Sequence, residues 1–358
     1  MNNHQEKKLI VLSGGGTLGS VTPLLAIYDE LKNDYNFLFI GTEKGVERKI
    51  VADNGLPFLA IKSGKLRRYW SWQNFIDPFL ILAGFFQSFY IFKKYRPSLF
   101  ISAGSFVSVG SAWAAWFLRV PILIHQLDYD PGLANKLMAS LASKITVSFK
   151  KSLKDYGNKA IWTGSPIRHY FLKNNVSQAE AKKHFSFKED SPVIFVLGGG
   201  TGSLIINHLV IDNLHNLSQL CQIIHLSGNG KEPKIDDSET YLKFSSFSQQ
   251  DMIYAYRAAD LVVSRAGMAT LLELANLSKP SIIIPMPDSH QETNAKVLAE
   301  AEAALVLKQK TLTSLDLYRQ IKKLLADETK LKKMGENLHQ TLKTNANKEL
   351  VEIIKKIM

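Results

Sequence analysis

The chain is nearly without cysteine: one thiol, Cys221, in 358 residues. That excludes an intramolecular disulfide framework and fits a reducing compartment, and its place in the apolar run LCQIIHL reads as a small buried side chain. Low-complexity tracts are missing too, so nothing beyond the first few residues reads as disordered. The opening MNNHQEKK has no apolar stretch that would serve as a secretory or transit signal, and the expected location is the cytoplasm. The longest apolar stretch, residues 75–92, is broken by Asp77, Pro78, Gly84 and Gln87, which argues against a membrane span. Neither glycine-rich turn is followed by GK[ST]. The first also lacks GxGxxG spacing, and Ile40, Gly41 and Thr42 stand where an acidic residue would end the second strand, so an NTPase or dinucleotide enzyme is not expected.

What the chain has is positive charge and a repeating grammar. Lys and Arg number 44 against 32 Asp and Glu, which favours an anionic partner. The basic residues flank apolar ones and no nucleic-acid motif is present, so nucleic acid is not the expected partner. Residues 75–92 are bracketed by Lys62, Lys65, Arg67, Arg68, Trp70 and Trp72 before and by Lys93, Lys94 and Arg96 after. Both a packed core helix with solvated ends and a segment resting on an anionic bilayer surface fit that composition.

At roughly 150 residues per domain, the length predicts two domains. Short apolar runs alternate with helical segments: LIVLS (9–13), FLFIG (37–41), LFISAG (99–104), PILIHQ (121–126), KITVSF (144–149) and KAIWTG (159–164). After a polar patch at 173–192 the pattern restarts with PVIFVLGGG, CQIIHLSG, KFSSF, ADLVVSRAG and PSIIIPMP. Such runs read as parallel strands buried on both faces, so the expected fold is α/β with two Rossmann-like, doubly wound domains. The expected boundaries are 1–165 and 166–342, with a helix at about 343–358 packing back on the first domain.

Two strand-to-helix turns are glycine-rich: SGGGTLGSVTP (13–23) and GGGTGS (198–203). A turn of this kind gathers backbone N–H groups at a helix start, where a phosphate or sugar oxygen is favoured, although glycines also serve simply to make the turn tight. In SRAGMATLLELA (264–275), Glu273 follows Thr270 by one helical turn and is a candidate to accept both ribose hydroxyls. A solvated glutamate is the plainer alternative. The loop PMPDSHQETNA (285–295) crowds His290, Gln291 and Asn294 where sugar hydroxyls can be reached.

With these motifs the chain resembles the MurG family almost end to end. The landmarks are GGGTLGSVTPLLAI, SAGSFVSVG (102–110), HQLDYDPGLANKLMA (125–139), TGSPIR (163–168), GGGTGS, DMIYAYRAADLVVSRAGMATLLELA (251–275) and PDSHQETNA. The resemblance implies the GT-B glycosyltransferase architecture, two Rossmann-like domains facing across a cleft. It also implies an inverting transfer of N-acetylglucosamine from UDP-N-acetylglucosamine to the muramoyl-pentapeptide on undecaprenyl diphosphate, at the inner face of the cell membrane, with no metal and no cofactor. By motif position, Glu273 would hold the ribose, Met268, Ala269 and Thr270 the diphosphate, and His290 and Gln291 the sugar. Arg168 would approach the donor, an interdomain salt bridge being its structural alternative. Gly200 stands for the family's usual serine, and Thr201 supplies a hydroxyl one residue on. Gly15, Gly16, Thr17, Gly19, Gly104 and Ser105 fall on the acceptor and its diphosphate.

The departures lie on the acceptor side. The family's GGTGGH is GGTLGS here, with Leu18 for a glycine and Ser20 for the histidine, and HEQN is HQLD, with Gln126 for the glutamate and Asp128 for the asparagine. Ser20, His125 and Asp128 are the candidate catalytic residues. Ser20 needs a partner to act as a base, which favours Asp128, with its pKa lifted in a dry cleft; a helix-capping role is its alternative. The altered loops keep two rivals open: a transferase with another lipid acceptor such as diacylglycerol, and a catalytically silent UDP-sugar-binding subunit recruiting a partner to the membrane. A sugar-nucleotide 2-epimerase shares the architecture, but the greasy basic segment favours a lipid acceptor.

Overall fold

The computed structural model describes every residue except 1–6, 17–18, 65–72, 174 and 344–345. The chain divides into two compact units: unit 1, Met1–His169 with Lys343–Met358, and unit 2, Tyr170–Leu342.

Unit 1 is a seven-stranded parallel sheet made of β1 (Leu9–Ser13), β2 (Asn36–Thr42), β3 (Phe58–Ile61), β4 (Leu99–Ser102), β5 (Ile122–Gln126), β6 (Lys144–Val147) and β7 (Ala160–Trp162). The order is β3-β2-β1-β4-β5-β6-β7. Successive side chains point to opposite faces. Val11, Ile40, Phe100 and Ile124 therefore feed one core, and Ile10, Leu12, Phe39, Ile101 and Leu123 the other. Burial on both faces explains why the strands read as continuous apolar runs. The second core is closed by the helix Ala346–Ile357, which contributes Ala346, Leu350 and Ile354 at four-residue spacing.

Unit 2 repeats the plan with β8 (Val193–Leu197), β9 (Gln222–Leu226), β10 (Tyr241–Phe244), β11 (Leu261–Ser264), β12 (Ser281–Ile283) and β13 (Leu305–Val306), all parallel, in the order β10-β9-β8-β11-β12-β13. Each sheet reverses its winding direction once, between β1 and β4 and between β8 and β11. Open α/β sheets receive ligands at such switch points, beyond the carboxyl ends of the strands. Both glycine loops leave the sheet there, one after β1 and one after β8.

Two strands escape the sequence pattern. FLAI (β3) is an edge strand and mostly half-buried, and β13 has two residues. The strand expected at KFSSF begins earlier, at Tyr241.

Residues 75–92 lie in a helix, Gln73–Tyr95, that packs along the helix Val107–Phe117. Glycine permits the close approach: a Cβ on Gly110 would come within 2.9 Å of the Ile81 carbonyl oxygen, while one on Gly84 would come within 2.3 Å of the carbonyl oxygen of Lys62, just after β3. The outward side of the first helix exposes Phe79, Leu82, Phe86 and Tyr90, and the second adds Trp116 and Phe117. Among the described residues no helix is long and apolar enough to cross a membrane. Lys65, Arg67, Arg68, Trp70 and Trp72 lie outside the described residues.

Candidate active site

In unit 1 the three consecutive glycines after β1 serve three different needs. Gly14 passes so close to the Ser20 carbonyl oxygen that a Cβ would stand 2.6 Å from it. Gly15 faces the carboxylate of Glu47, whose Oε1 would lie 2.6 Å from a Cβ, and Gly16 has φ +77°. The loop is held from inside. Gly15 N–H donates to Ser20 Oγ at 3.0 Å, and that hydroxyl donates back to the Gly15 carbonyl at 3.0 Å. Gly16 N–H donates to Glu47 Oε2 at 3.2 Å. Glu47 also accepts from Thr42 N–H at 2.8 Å and from Thr42 Oγ1 at 2.5 Å, and it is fully buried. Among the described residues no cation lies within ion-pair distance of it.

These contacts bear on two expectations. The N–H groups of Gly15 and Gly16 already have acceptors, one of them a carboxylate, so an incoming phosphate would meet negative charge in place of free donors. Ser20, expected as a catalytic group, closes the loop with its hydroxyl. Gly19 lies in the turn that brings Ser20 back, and Thr17 is outside the described residues.

His125 is a core residue. It lies on β5 with no exposed surface, its Nδ1 3.0 Å from Thr146 Oγ1 and its Nε2 2.9 Å from Ser165 Oγ. Burial pushes its pKa down to about 3. The ring is therefore a neutral, hydrogen-bonded member of the core.

Its neighbour Gln126 organises the loop that follows. Its amide nitrogen donates to the carbonyl oxygens of Asp128 and Asp130 at 2.7 and 3.1 Å, and its oxygen accepts from Asn135 Nδ2 at 2.6 Å and Tyr156 Oη at 2.8 Å. A glutamate could not make the first two bonds, because an ionised carboxylate only accepts. Asp128 is half-buried in this loop and does not cap the next helix, Leu133–Ala139, whose N-cap is Gly132. After β4, Gly104 and Ser105 both have positive φ, +93° and +91°. For serine that conformation is strained, a mark that often accompanies function. Ser108 ties this turn to β1, donating to the carbonyl oxygens of Ser13 and Gly104 at 3.0 and 3.2 Å.

Arg168, expected to approach the donor with an interdomain salt bridge as its alternative, has partners within unit 1. Its Nε donates to Asp29 Oδ2 at 2.8 Å and an Nη to Asn54 Oδ1 at 2.7 Å. The guanidinium is thereby engaged with the helix Thr22–Leu31 and the end of the helix Val46–Asp53.

In unit 2 the loop after β8 has the opposite electrostatic character. Gly202 has φ +72° and packs against the turn after β9, where a Cβ would fall 2.1 Å from the Ser227 carbonyl oxygen. The Lys231 ammonium donates to the carbonyl oxygens of Thr201 and Gly202 at 2.8 and 3.0 Å, fixing the orientation of those peptides. Gly200 and Thr201 are exposed. Ser203 caps the helix Leu204–Ile211.

Beneath this loop lies Arg265, a residue the sequence reading passed over as part of a small-residue turn. It is 9% exposed. Its Nη atoms donate to Ser203 Oγ at 2.8 Å and to the Ile284 carbonyl at 3.1 Å, joining the turns after β8, β11 and β12. Both partners are neutral, and no carboxylate among the described residues pairs with it. Burial lowers its pKa from the ordinary arginine value. The adjoining helix, Met268–Asn276, begins at Gly267 with no side-chain cap, so the orphan N–H groups of its first turn, at Met268, Ala269 and Thr270, add to the positive potential.

Glu273 is not a solvated surface residue. It is partly buried, accepts from the hydroxyl of fully buried Tyr256 at 2.7 Å, and is pushed up to about 7 by burial, against the pull of that hydrogen bond. On the next turn His290 is exposed, and Gln291 accepts from Met286 N–H at 3.1 Å, leaving its amide nitrogen free of this contact. Asn294 is fully buried and donates to the Ala266 carbonyl at 3.4 Å, holding this helix to the SRAG turn. The described residues hold no cluster suited to a metal ion.

Two α/β units of this topology, each with its loops at the switch point, match the GT-B architecture of glycosyltransferases. Residues 10–147 match the glycosyltransferase family 28 N-terminal domain, and residues 193–354 match the C-terminal domain of the same family. Within that family the chain belongs to the MurG group. It is 36% identical over 357 residues, covering 98% of this chain and 99% of the relative, to the UDP-N-acetylglucosamine–N-acetylmuramyl-(pentapeptide) pyrophosphoryl-undecaprenol N-acetylglucosamine transferase of Clostridium kluyveri. The Clostridium tetani protein of the same name is 35% identical, with 95% and 94% covered. Among solved structures the fold matches MurG of Acinetobacter baumannii, with a TM-score of 0.73, 24% identity, and 98% and 99% of the chains covered. It also matches a UDP-N-acetylglucosamine 2-epimerase, with a TM-score of 0.67, 13% identity, and 98% and 96% covered.

Proposed function

We propose that the chain transfers N-acetylglucosamine from UDP-N-acetylglucosamine to the N-acetylmuramyl-pentapeptide on undecaprenyl pyrophosphate. The full-length likeness to relatives named for that reaction supports the substrates. The observation that carries the division of labour is Arg265, a buried cation with no carboxylate partner among the described residues, beside a helix start without a side-chain cap. A nucleoside diphosphate supplies the missing negative charge. In this reading the diphosphate lies over the 198–203 loop and the first turn at Met268, Ala269 and Thr270, the ribose hydroxyls donate to Glu273, and His290 and Gln291 read the sugar. As the bond from the anomeric carbon to the diphosphate breaks, charge grows on the departing oxygen, where Arg265 and the helix N–H groups are already oriented.

Unit 1 supplies the acceptor side. With His125 in the core and Ser20 closing its loop, Asp128 is the group left to take the proton from the attacking hydroxyl as the new glycosidic bond forms on the opposite face of the sugar. Its loop is fixed by Gln126, which places the carboxylate reproducibly. The exposed apolar row Phe79, Leu82, Phe86 and Tyr90, with Lys93 and Lys94 in the last turn of the same helix, suits peripheral docking on an anionic bilayer that presents the lipid, at the inner face of the cell membrane.

The deciding experiment is incubation with labelled UDP-N-acetylglucosamine and the lipid-linked acceptor in detergent, with label expected in the lipid fraction. Tight UDP binding without any labelled lipid product would replace this reading with a sugar-nucleotide-binding subunit. Labelling of diacylglycerol in place of the muramyl lipid would change the acceptor.

A further inference from the structure

Glu47 has no part in the reaction just described, yet the loop after β1 is built around it. The carboxylate is completely buried, receives three hydrogen bonds and faces no cation among the described residues. Two glycines make room for it: a Cβ on Gly15 would stand 2.6 Å from Oε1, and one on Gly45 2.1 Å from the same oxygen. A buried carboxylate without a counter-ion is costly, and a hydrophobic residue of similar size would fill the space with less penalty. What the charge provides is a fixed, strong acceptor for Gly16 N–H, anchored at its other end to Thr42 on β2. The loop is pinned at two points, by Glu47 at Gly16 and by Ser20 at Gly15. Both anchors lie at the switch point of unit 1.

We propose that Glu47 is a positioning residue that presets the 13–20 loop for the acceptor and acts through its charge. The inference rests on the acceptor role given to unit 1 above. Glutamine at 47 keeps the length and can still accept from Thr42, but its amide would then turn a donor toward Gly16 N–H, so the second anchor is lost while the fill is kept.

The test compares Glu47→Gln, Glu47→Ala and the milder Thr42→Val in the full chain. It uses acceptor KM and kcat, UDP affinity by calorimetry, the melting temperature, and hydrogen exchange of the peptide covering 13–20. Glu47→Gln should raise acceptor KM by about 10-fold or more, as expected for a lost hydrogen bond to a charged group, with kcat within about 3-fold and UDP affinity unchanged. Exchange at 13–20 should accelerate. Thr42→Val should show the same pattern in smaller degree, and it stands in if the Glu47 variants do not fold. Wild-type acceptor KM in Glu47→Gln, with a loss seen only in Glu47→Ala, would make Glu47 a packing residue and overturn the proposal. Should the wild-type chain transfer no sugar at all, the proposed function fails separately. The exchange arm still decides whether Glu47 pins the loop: unchanged exchange at 13–20 refutes it.

Discussion

The two glycine loops leave equivalent places in their sheets, and each has a buried charge of opposite sign beneath it. Under the 13–20 loop lies Glu47, and under the 198–203 loop lies Arg265. Similar sequence, GGGT in both, thus produces loops with contrary preferences. The first has its N–H groups at Gly15 and Gly16 occupied from within. In the second, a guanidinium whose partners among the described residues are neutral sits beside a helix start with no side-chain cap. A glycine-rich turn is a backbone shape, and the side chain behind it decides which ligand charge the shape accepts.

Substitutions can break this contrast. The largest effect is expected for Asp128→Asn, which should lower kcat by about 10²–10⁴-fold if the acceptor side holds the general base. Retained turnover, followed as label entering lipid, would remove Asp128 from that role. Next, Arg265→Met should weaken UDP binding by about 10- to 100-fold, with acceptor KM unmoved. Its melting temperature should hold or rise, since an apolar side chain of similar volume replaces an unpaired buried charge. Calorimetry that finds the same UDP affinity in this variant would leave the second loop without its distinguishing charge.

Glu273 sharpens the comparison through pH. With its pKa near 7, the carboxylate that accepts ribose hydroxyls is mostly protonated at pH 6 and mostly ionised at pH 8. UDP-N-acetylglucosamine, whose diphosphate does not titrate in this range, should bind about 10-fold more weakly at pH 6 than at pH 8, and Glu273→Gln should flatten the profile. An unchanged slope in that variant would assign the titration elsewhere.

The smallest effect separates the units by acid stability. His125 in unit 1 titrates at about 3 and His225 in unit 2 at about 4, both lowered by burial. A histidine lowered in the folded state loses stability as pH falls below its unfolded value of about 6.5, by roughly 1.4 kcal/mol per pH unit. In unit 2, Glu273 works the other way: raised from 4.5 to about 7, it gains stability on acidification between those values. Its slope offsets that of His225 from pH 6.5 to 4.5, whereas His125 has no such offset among the large shifts in unit 1. Hydrogen exchange between pH 6.5 and 4.5 should show unit 1 loosening first; simultaneous loosening would contradict the assignment.

The strands were legible because a parallel strand covered on both faces leaves an unbroken apolar run, as in LIVLS and VIFVL. β3 and β13 were not, because an edge strand or a two-residue pairing leaves no run to see. The donor motifs came from spacing together with the resemblance to the MurG family, and the structure adds contacts that neither could give, such as the Tyr256 hydroxyl on Glu273. The surroundings of His125 and Ser20 were not legible, because a sequence does not say which way a polar residue at a strand end or turn will face. Arg265 did leave a signal, as a lone cation directly after the buried run LVVS. Glu47 left none, since in TEKGVERK it looks like any residue of a charged, solvated helix.

The return of Lys343–Met358 to unit 1 has a consequence for synthesis. The face of the first sheet that Ala346, Leu350 and Ile354 cover stays open while all of unit 2 is being made, although most of unit 1 has already left the ribosome. Asn347 completes the closure, accepting from Ile167 N–H and donating to Glu30 Oε1, each at 2.9 Å. The nascent N-terminal half therefore waits with a greasy surface uncovered. That interval is when a holdase chaperone has something to grip and when premature release would lead to aggregation.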